Sequence, residues 1–426
     1  MKDSFKGIIG YEDIKKELRI ISDMLNNPER YQKLGAKLNG GLLLYGKPGT
    51  GKTTMANCLI NSTKRKSYVI RKKGSDGEFI KTIESTFEEA KKNMPSIILL
   101  DDLDKFSEKE DDAEEFVAVQ SCIDEIKDLD VFVIATVNDK WKLPNSLLRA
   151  GRFGEKLRVR LPEKEEVTEI VDHYLKKTSI CEEIDSKSVG MMLLGETCAT
   201  LEDVINKATV KAVYNRQEKV TMQNIIDTCL DLIFDAPEQS KKLPETILRK
   251  IAYHEAGHAI ISELLDPGSV CILSIRETKG GTLGFVSYYR PDEKEDFNAD
   301  YIETEIKVSL AGRMATEMVF GETDMGARVD LQNAYNKAKY LVDDQCMFGF
   351  QNMKTDNRDA YVEENRSRTI AMVMEKNSLE VRKLLAEHRK LLDRMAVEAF
   401  NKTTLVMTDI QRIMSEYEEK KNEKCN

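Results

Sequence analysis

The chain has 426 residues, 41% of them hydrophobic and 33% charged, so it can bury sizeable cores and we expect about two to three domains. Its net charge of −9 argues against a general nucleic-acid-binding surface. No stretch approaches the roughly 18–20 consecutive apolar residues of a membrane span. The start has no apolar signal core and the eight cysteines form no C-x-x-C pair, which favours a cytoplasmic protein with reduced thiols.

The first part of the chain, residues 1–162, alternates short apolar runs with stretches of helical periodicity. Buried runs that alternate with helices indicate a parallel sheet covered on both faces. We therefore predict an α/β fold with strands in five runs, at 40–46, 67–70, 96–102, 131–138 and 157–162.

A phosphate-binding loop follows the first run. The sequence GKPGTGKT has the pattern G-x-x-x-x-G-K-T between a predicted strand and a predicted helix. Its glycines let backbone N–H groups face phosphates, its lysine reaches the β- and γ-phosphates, and its threonine hydroxyl binds Mg²⁺. The predicted ATP and Mg²⁺ contacts are Gly46, Pro48, Gly49, Thr50, Gly51, Lys52, Thr53 and Thr54.

Polar residues follow the later runs. Asp101 ends the third run, where P-loop enzymes hold their metal ion. Asn138 ends the fourth run and either orients the attacking water or is an ordinary turn residue. The segment LLRAGRF carries Arg149 and Arg152, which either complete the active site of a neighbouring subunit or form surface ion pairs.

In this order and spacing, GKPGTGKT, IILLDD, VIATVN and LLRAGRF resemble the AAA ATPase module, a ring-forming P-loop fold with a helical lid. The resemblance makes Asn138 the sensor residue and Arg149 and Arg152 the arginine fingers that act in trans. It also implies a homo-oligomeric ring, commonly a hexamer. Residues 163–233, which show only helical periodicity, are then the lid, and the polar segment 234–245 is a linker.

The segment AYHEAGHAIISELLDPG, residues 252–268, carries two of the four histidines of the chain. Pro244 and the sequence Asp266-Pro267-Gly268 bracket a helix of about twenty residues. His254 and His258 lie one turn apart on it and can bind one zinc ion, with Glu255 beside them as a general base. The alternative is a pair of packed imidazoles on a core helix.

A catalytic zinc needs a third protein ligand. Position 264, where one zinc protease class has a histidine, holds Leu264, and the downstream His388 lies in a charged helix that we expect to face solvent. A carboxylate is therefore the better candidate, but spacing alone does not select it. Beyond this helix the chain is predicted to be mainly helical, with one strand-like stretch at 269–291.

Together, HEAGH, GGTLGFVSYYRPDE, LAGRMATEMVFGE and TDMGARVDLQNAYNKAKYLV resemble the peptidase domain of FtsH-type ATP-dependent zinc proteases. The resemblance extends from about residue 4 to 415 and makes Asp330 the third zinc ligand. It implies that the strand around Gly280–Phe285 is the edge to which a substrate is added as an extra strand, which binds its backbone.

The sequence departs from the family pattern at four places. It begins directly at the ATPase module, without the N-terminal membrane helices that the family usually carries, and we therefore expect a cytoplasmic protein. Asp102 stands where the family has the glutamate that polarises the attacking water, and this carboxylate retreats by about 1.5 Å, which predicts slow hydrolysis with binding intact. The region 71–82 lacks the aromatic–hydrophobic–glycine triplet that threads substrate, and Phe79 is expected to pack instead. Gly154 and Glu155 replace a subunit-contact pair.

The sequence therefore predicts an α/β P-loop AAA module with a helical lid, followed by a mainly helical zinc peptidase domain. The predicted boundaries are 1–162, 163–233, 234–245 for the linker and 246–426. The expected function is ATP-dependent zinc endopeptidase on protein substrates. Two alternatives stay open: a nucleotide-gated peptidase of unfolded segments with weak unfolding power, and a remodelling or scaffold ring with a vestigial peptidase.

Overall fold

The structure is a computed structural model that describes residues 4–36, 40–72, 76–107, 113–178, 184–238, 243–289, 298–322, 325–350 and 360–422. The chain forms two compact units. The first comprises Met1–Cys181 and Leu193–Thr209, and the second comprises Glu182–Met192 and Val210–Asn426. The four-part division expected from the sequence stays a prediction. Within the described residues, no helix has the length and apolar character needed to cross a membrane.

The first unit is built on a parallel sheet of five strands in the order β2-β3-β4-β1-β5. Every residue of β3 is buried, as expected for a strand covered on both faces. The strands are β1 (Leu42–Tyr45), β2 (Lys66–Ile70), β3 (Ser96–Leu100), β4 (Val131–Val137) and β5 (Glu155–Arg158).

The predicted bounds of the fifth strand, 157–162, are wrong. β5 begins at Glu155 and ends at Arg158. Its partner β1 ends at Tyr45, because the chain turns into the glycine-rich loop at Gly46, so β5 has no strand to pair with beyond Arg158.

Helices cover this sheet and supply its core. A cluster of buried apolar side chains joins the strands to α4 and α5, and includes Phe79, Phe87 and Phe116. The helices begun in this unit are α1 (Glu12–Asn26), α2 (Pro28–Gln32), α3 (Lys52–Asn61), α4 (Asp76–Lys92), α5 (Glu114–Glu125), α6 (Lys164–Lys177) and, after α7, α8 (Cys198–Tyr214).

The second unit is mainly helical, as expected. Its helices are α7 (Ser186–Met192), α9 (Met222–Leu232), α10 (Glu245–Leu265), α11 (Ala299–Phe320), α12 (Arg328–Asp343), α13 (Ala360–Glu387), α14 (Arg389–Lys402) and α15 (Met407–Asn422). The histidine-bearing helix α10 follows Pro244 and ends before Asp266, so its predicted bounds are confirmed.

The prediction of one strand-like stretch at 269–291 is wrong in detail. The stretch forms a hairpin, β6 (Val270–Glu277) and β7 (Leu283–Tyr288), and a third strand, β8 (Thr404–Val406), pairs with β6 from far along the chain. Two glycines, Gly280 and Gly281, supply the turn, with Gly281 at a φ of 83°. The antiparallel order β7-β6-β8 leaves β7 at an edge of this sheet.

Candidate metal centre and nucleotide site

Two histidines and one aspartate converge in the second unit. The Nε2 atoms of His254 and His258 are 3.1 Å apart, and Asp330 Oδ2 lies 3.1 Å from the first and 3.4 Å from the second. Ligands about 2.0–2.1 Å from a tetrahedral zinc ion are about 3.3 Å from one another. The three atoms therefore have the spacing of ligands to one zinc ion, and two imidazoles with one carboxylate are a donor set that zinc accepts.

Helix packing positions these three side chains. His254 and His258 are one turn apart on α10, and Asp330 lies in the first turn of α12. The Nδ1 atom of His258 is 2.7 Å from the carbonyl oxygen of Val308 on α11, to which it donates a hydrogen bond, and this leaves Nε2 as the ligand atom.

Two glycines let α10 and α11 approach closely. A Cβ atom on Gly257 would lie 2.7 Å from the carbonyl oxygen of Ala311 and 2.6 Å from the Cβ of Ala315. A Cβ atom on Gly312 would lie 2.4 Å from His258 Nε2 and 2.6 Å from His254 Nε2. A larger residue at either position would force the helices or the imidazoles to move. Gly312 was not identified from the sequence. The pattern that could have indicated it is the presence of two consecutive small residues, Ala311 and Gly312, within a predicted helix.

The carboxylate of Asp330 stays ionised beside the imidazoles. Burial by itself would raise the pKa of Asp330, but the hydrogen bonds to His254 and His258 hold it well below its usual range. The group therefore offers an anionic oxygen to a cation. His388 is not one of the three: it is half-buried and its ring stands 5.7 Å from that of Tyr417.

Glu255 lies beside this centre and against the edge strand. Its side chain is buried, and a Cβ atom on Gly284 of β7 would lie 2.7 Å from Glu255 Oε1. Gly284 has a φ of 81°, so both its conformation and its closeness to Glu255 require glycine. The structure thus brings the predicted base together with the predicted substrate-binding strand.

The phosphate-binding loop lies between β1 and α3 in the first unit. Gly46, Pro48, Gly49, Thr50 and Gly51 form the loop, and Lys52, Thr53 and Thr54 form the first turn of α3. A Cβ atom on Gly46 would lie 2.1 Å from the carbonyl oxygen of Val159, and Gly51 has a φ of 93°. The loop path therefore depends on glycine.

Lys52 joins this loop to the end of β4. Its Nζ donates hydrogen bonds to the carbonyl oxygens of Gly46 and Lys47 and to Oδ1 of Asn138, at 2.8–2.9 Å. Burial lowers the pKa of Lys52. The structure thus places the predicted sensor residue Asn138 in contact with the predicted phosphate-binding lysine.

Asp101 lies next to Thr53, as a shared magnesium site requires. Its Oδ1 accepts hydrogen bonds from the hydroxyls of Thr53 at 2.9 Å and Thr136 at 2.8 Å. A hydroxyl and a carboxylate in contact are oxygen ligands that Mg²⁺ accepts, so these residues fit the ion. Oδ2 of Asp101 accepts a hydrogen bond from Nε of Arg71 at 2.5 Å, a contact that the sequence reasoning did not identify.

Asp104 is a second residue that the sequence reasoning missed. It is buried, and its Oδ2 accepts hydrogen bonds from the backbone N–H groups of Asn138 at 3.1 Å and Asp139 at 3.4 Å. It therefore fixes the backbone that carries Asn138. The sequence signal available was an acid three residues after Asp101, on the turn that follows β3.

Three further predicted residues, Asp102, Arg149 and Arg152, also lie in the first unit. Asp102 is 41% exposed and pairs with Lys105 at 2.8 Å. Arg152 pairs with Asp124 of α5 at 2.7 Å and donates to the carbonyl oxygen of Ser146, whereas Arg149 is exposed.

Comparison with protein families gives two matches. Residues 42–161 match the model of the ATPase family associated with various cellular activities (AAA). Residues 242–413 match the model of peptidase family M41. Together the two models cover more than half of the chain, and each falls on one of the two sites described above.

Curated relatives have names that combine ATP dependence with zinc protease activity. The chain is 31% identical over 365 residues to the ATP-dependent zinc metalloprotease FtsH of Syntrophotalea carbinolica, covering 81% of this chain and 55% of the relative. It is 26% identical over 429 residues to FtsH 2 of a Thermoanaerobacter species, covering 97% of this chain and 83% of the relative. It is 30% identical over 354 residues to the mouse ATP-dependent zinc metalloprotease YME1L1, covering 80% and 49%. The chain thus spans about half the length of the first and third of these relatives.

Proposed function

We propose, since this chain belongs to the FtsH-type family of ATP-dependent zinc metalloproteases, that it is a zinc endopeptidase whose action on proteins depends on ATP. The observation that carries the proposal is the convergence of His254, His258 and Asp330 at ligand spacing, with Glu255 next to them on the same helix. A scaffold ring with a vestigial peptidase has no need for these groups to remain together.

Four residues are proposed to carry out the peptidase chemistry, three as zinc ligands and one as the general base. His254, His258 and Asp330 hold the zinc ion, which when bound lowers the pKa of water and polarises the scissile carbonyl. Glu255 takes the proton from the attacking water and delivers it to the departing amine. Val308 fixes the ring of His258 through its carbonyl, and so keeps the ligand atom directed to the site.

The edge of β7 is the proposed binding place for the substrate backbone. Among the described strands, β7 pairs with β6 alone, and Gly284 brings β7 against Glu255. A peptide that adds to this edge presents its backbone to the base and needs no particular side chain. This mode suits an endopeptidase that acts on many sequences.

The first unit binds ATP and Mg²⁺ in this proposal. Lys52 contacts the phosphates, Thr53 and Asp101 hold Mg²⁺, and Asn138 orients the attacking water. Gly46, Pro48, Gly49, Thr50, Gly51 and Thr54 contribute the remaining phosphate contacts. Asp102 acts as the base, but its shorter side chain makes hydrolysis slow.

We further propose a homo-oligomeric ring, a hexamer, in which Arg149 and Arg152 reach the nucleotide of the next subunit. Arg149 is exposed, whereas Arg152 must exchange its contact with Asp124 to do so. Light scattering with and without ATP measures the number of subunits. A cytoplasmic location is also proposed, because the six described cysteines are present as thiols.

One observation favours the weaker form of the function, a nucleotide-gated peptidase of unfolded segments. Phe79, the aromatic residue nearest to where the family grips substrate, is 1% exposed and packs edge-on against Phe106 with ring centres 4.8 Å apart. It is thus part of the core of the first unit and is not presented to a substrate.

A cleavage assay with two substrates tests the proposal. Unfolded casein and a folded, tagged protein are incubated with the full chain, with and without ATP and Zn²⁺, while zinc content is measured. Cleavage of both substrates with ATP supports the full activity, and cleavage of casein alone supports the gated form. The peptidase proposal is contradicted if the protein holds no stoichiometric zinc, or if it cleaves neither substrate.

A further inference from the structure

Arg71 lies where the parallel sheet brings it beside the metal-binding acid. In the register of β2 and β3, Ile70 pairs with Leu100, so the next residues along the two strands are neighbours. The backbone N–H of Asp101 donates to the carbonyl oxygen of Ile70 at 3.0 Å, which extends this pairing. The position of Arg71 beside Asp101 therefore follows from the fold.

The contact is a charged one at a buried carboxylate. The Nε atom of Arg71 donates to Oδ2 of Asp101 at 2.5 Å, and Nη2 contacts the same oxygen. Asp101 is 3% exposed, while the side chain of Arg71 is 57% exposed. Hydrogen bonds between ionised groups are about twice as strong as neutral ones. Arg71 thus neutralises Asp101 from the solvent side.

Both carboxylate oxygens of Asp101 accept hydrogen bonds from side chains of this chain. Oδ1 accepts two hydroxyls, from Thr53 and Thr136, and Oδ2 accepts Arg71. The hydroxyls are compatible with a cation, since oxygen atoms bind Mg²⁺. The guanidinium is not, because it is a positive charge that cannot lose its proton.

The next residue keeps Arg71 in this place. The Nζ atom of Lys72 lies 3.8 Å from Oε1 of Glu115, a buried acid of α5. The end of β2 is therefore tied by one ion pair to α5 and by another to Asp101. Because the backbone here is already held by the ion pair of Lys72, Arg71 loses less conformational entropy when it binds the carboxylate of Asp101.

We propose that Arg71 competes with Mg²⁺ for Asp101 and so raises the Mg²⁺ concentration at which this chain binds and hydrolyses ATP. The inference rests on the proposed nucleotide site and adds its regulation by Mg²⁺. Arg71 acts through Asp101 and is a positioning residue. Nucleotide loading then depends on free Mg²⁺ as well as on ATP.

The test measures Mg²⁺ dependence in the full chain. Binding of a fluorescent ATP analogue is followed by anisotropy as free Mg²⁺ is varied, and the Mg²⁺ dependence of hydrolysis is measured in parallel. Arg71→Ala is expected to lower the half-saturating Mg²⁺ concentration on the order of tenfold. Arg71→Lys keeps the charge but lacks the planar guanidinium. Its half-saturating Mg²⁺ concentration is expected to lie between those of the wild type and Arg71→Ala.

A matched control comes from the other end of β2. Arg65 pairs with Asp130 at 2.5 Å and has no contact with Asp101, so Arg65→Ala should keep the wild-type Mg²⁺ midpoint. An unchanged or higher midpoint in both Arg71 variants, or weaker nucleotide binding at saturating Mg²⁺, overturns the inference. Wild-type protein that binds no nucleotide at any Mg²⁺ concentration overturns the proposed nucleotide site as well.

Discussion

The metal centre and the nucleotide site differ in how their charged groups are arranged. Asp330 meets two imidazoles, and the three ligand atoms approach one another at 3.1–3.4 Å. Three of the side chains predicted to act on nucleotide instead meet opposite charges of this chain: two in the chain's own site, and Arg152, which is proposed to act on the next subunit's nucleotide. Asp101 pairs with Arg71, Asp102 with Lys105 and Arg152 with Asp124.

This contrast indicates two different relations between fold and ligand. The metal centre is formed by helix packing around Gly257 and Gly312, so a cation completes an arrangement that already exists. The side chains proposed to act on nucleotide already hold oppositely charged partners, and on our proposal a ligand exchanges these contacts before the groups act. We therefore expect the peptidase chemistry to be robust and the ATP chemistry to be slow and adjustable.

The largest expected effect tests the completeness of the peptidase site. Glu255→Gln removes the proposed base and should lower casein cleavage by about 10²–10⁴-fold while zinc content stays stoichiometric. Glu245→Gln, at the exposed start of the same helix, should keep wild-type activity. Substantial cleavage by Glu255→Gln, measured by release of labelled fragments, would show that another group is the base.

The next effect tests whether the nucleotide site is held back by Asp102. Asp102→Glu restores the missing methylene and should raise ATP turnover by on the order of 10²-fold, as measured by phosphate release. Asp102 has a φ of 55° and a ψ of 52°, a left-handed conformation that aspartate adopts more readily than glutamate, so a modest loss of thermal stability is also expected. Turnover that does not change would place the slow step elsewhere.

A smaller effect probes the packing beneath the imidazoles. Gly312→Ala introduces a methyl group at 2.4–2.6 Å from both Nε2 atoms, so the ligand atoms must move apart. We expect zinc affinity to fall by on the order of 10–100-fold, as measured by competition with a chelator. Gly280→Ala is the matched control, since its Cβ would meet only Thr278 Oγ1, at 3.7 Å. Equal affinity in both variants would mean that α11 yields without disturbing the ligands.

The local patterns in the sequence predicted much of this arrangement. The loop GKPGTGKT and the helix HEAGH carry their chemistry in consecutive residues, so strand–loop–helix context and helical spacing were sufficient for them. Asp330 needed the family resemblance, because it lies 72 positions after His258 and no periodicity links them.

Contacts between distant segments were not predictable in the same way. Arg71 is an ordinary charged residue until the register of β2 and β3 places it beside Asp101. Gly312 matters because of a neighbouring helix, and β8 is three residues long and pairs with β6 across more than a hundred residues. The sequence predicts a single strand-like stretch at 269–291 because the two apolar runs of the hairpin are separated only by a short turn.

The smallest effect concerns the charges that hold the first unit together. Glu166 accepts hydrogen bonds from the backbone N–H groups of Tyr11 at 2.6 Å and Glu163 at 2.8 Å, and from Arg160 at 2.6 Å. Burial would raise the pKa of Glu166, but Arg160 and these N–H groups hold it below its usual range. A lowered folded-state pKa means that the stabilisation is present above about pH 4.5 and is lost as the pH falls through the folded-state value.

Glu166→Gln should therefore lower the free energy of unfolding at pH 7 by about 1.5–3 kcal/mol, the usual contribution of hydrogen bonds to a charged group. The difference from wild type should shrink as the pH falls from about 4.5 towards the lowered folded-state pKa, and it should be smallest once the wild-type carboxylate is protonated in both states. Denaturant unfolding from pH 7 down to about pH 2.5 measures both, with the exposed neighbour variant Glu165→Gln expected to follow the wild type. A difference that does not depend on pH would mean that Glu166 acts through packing alone, and that charge is not what distinguishes the first unit from the metal centre.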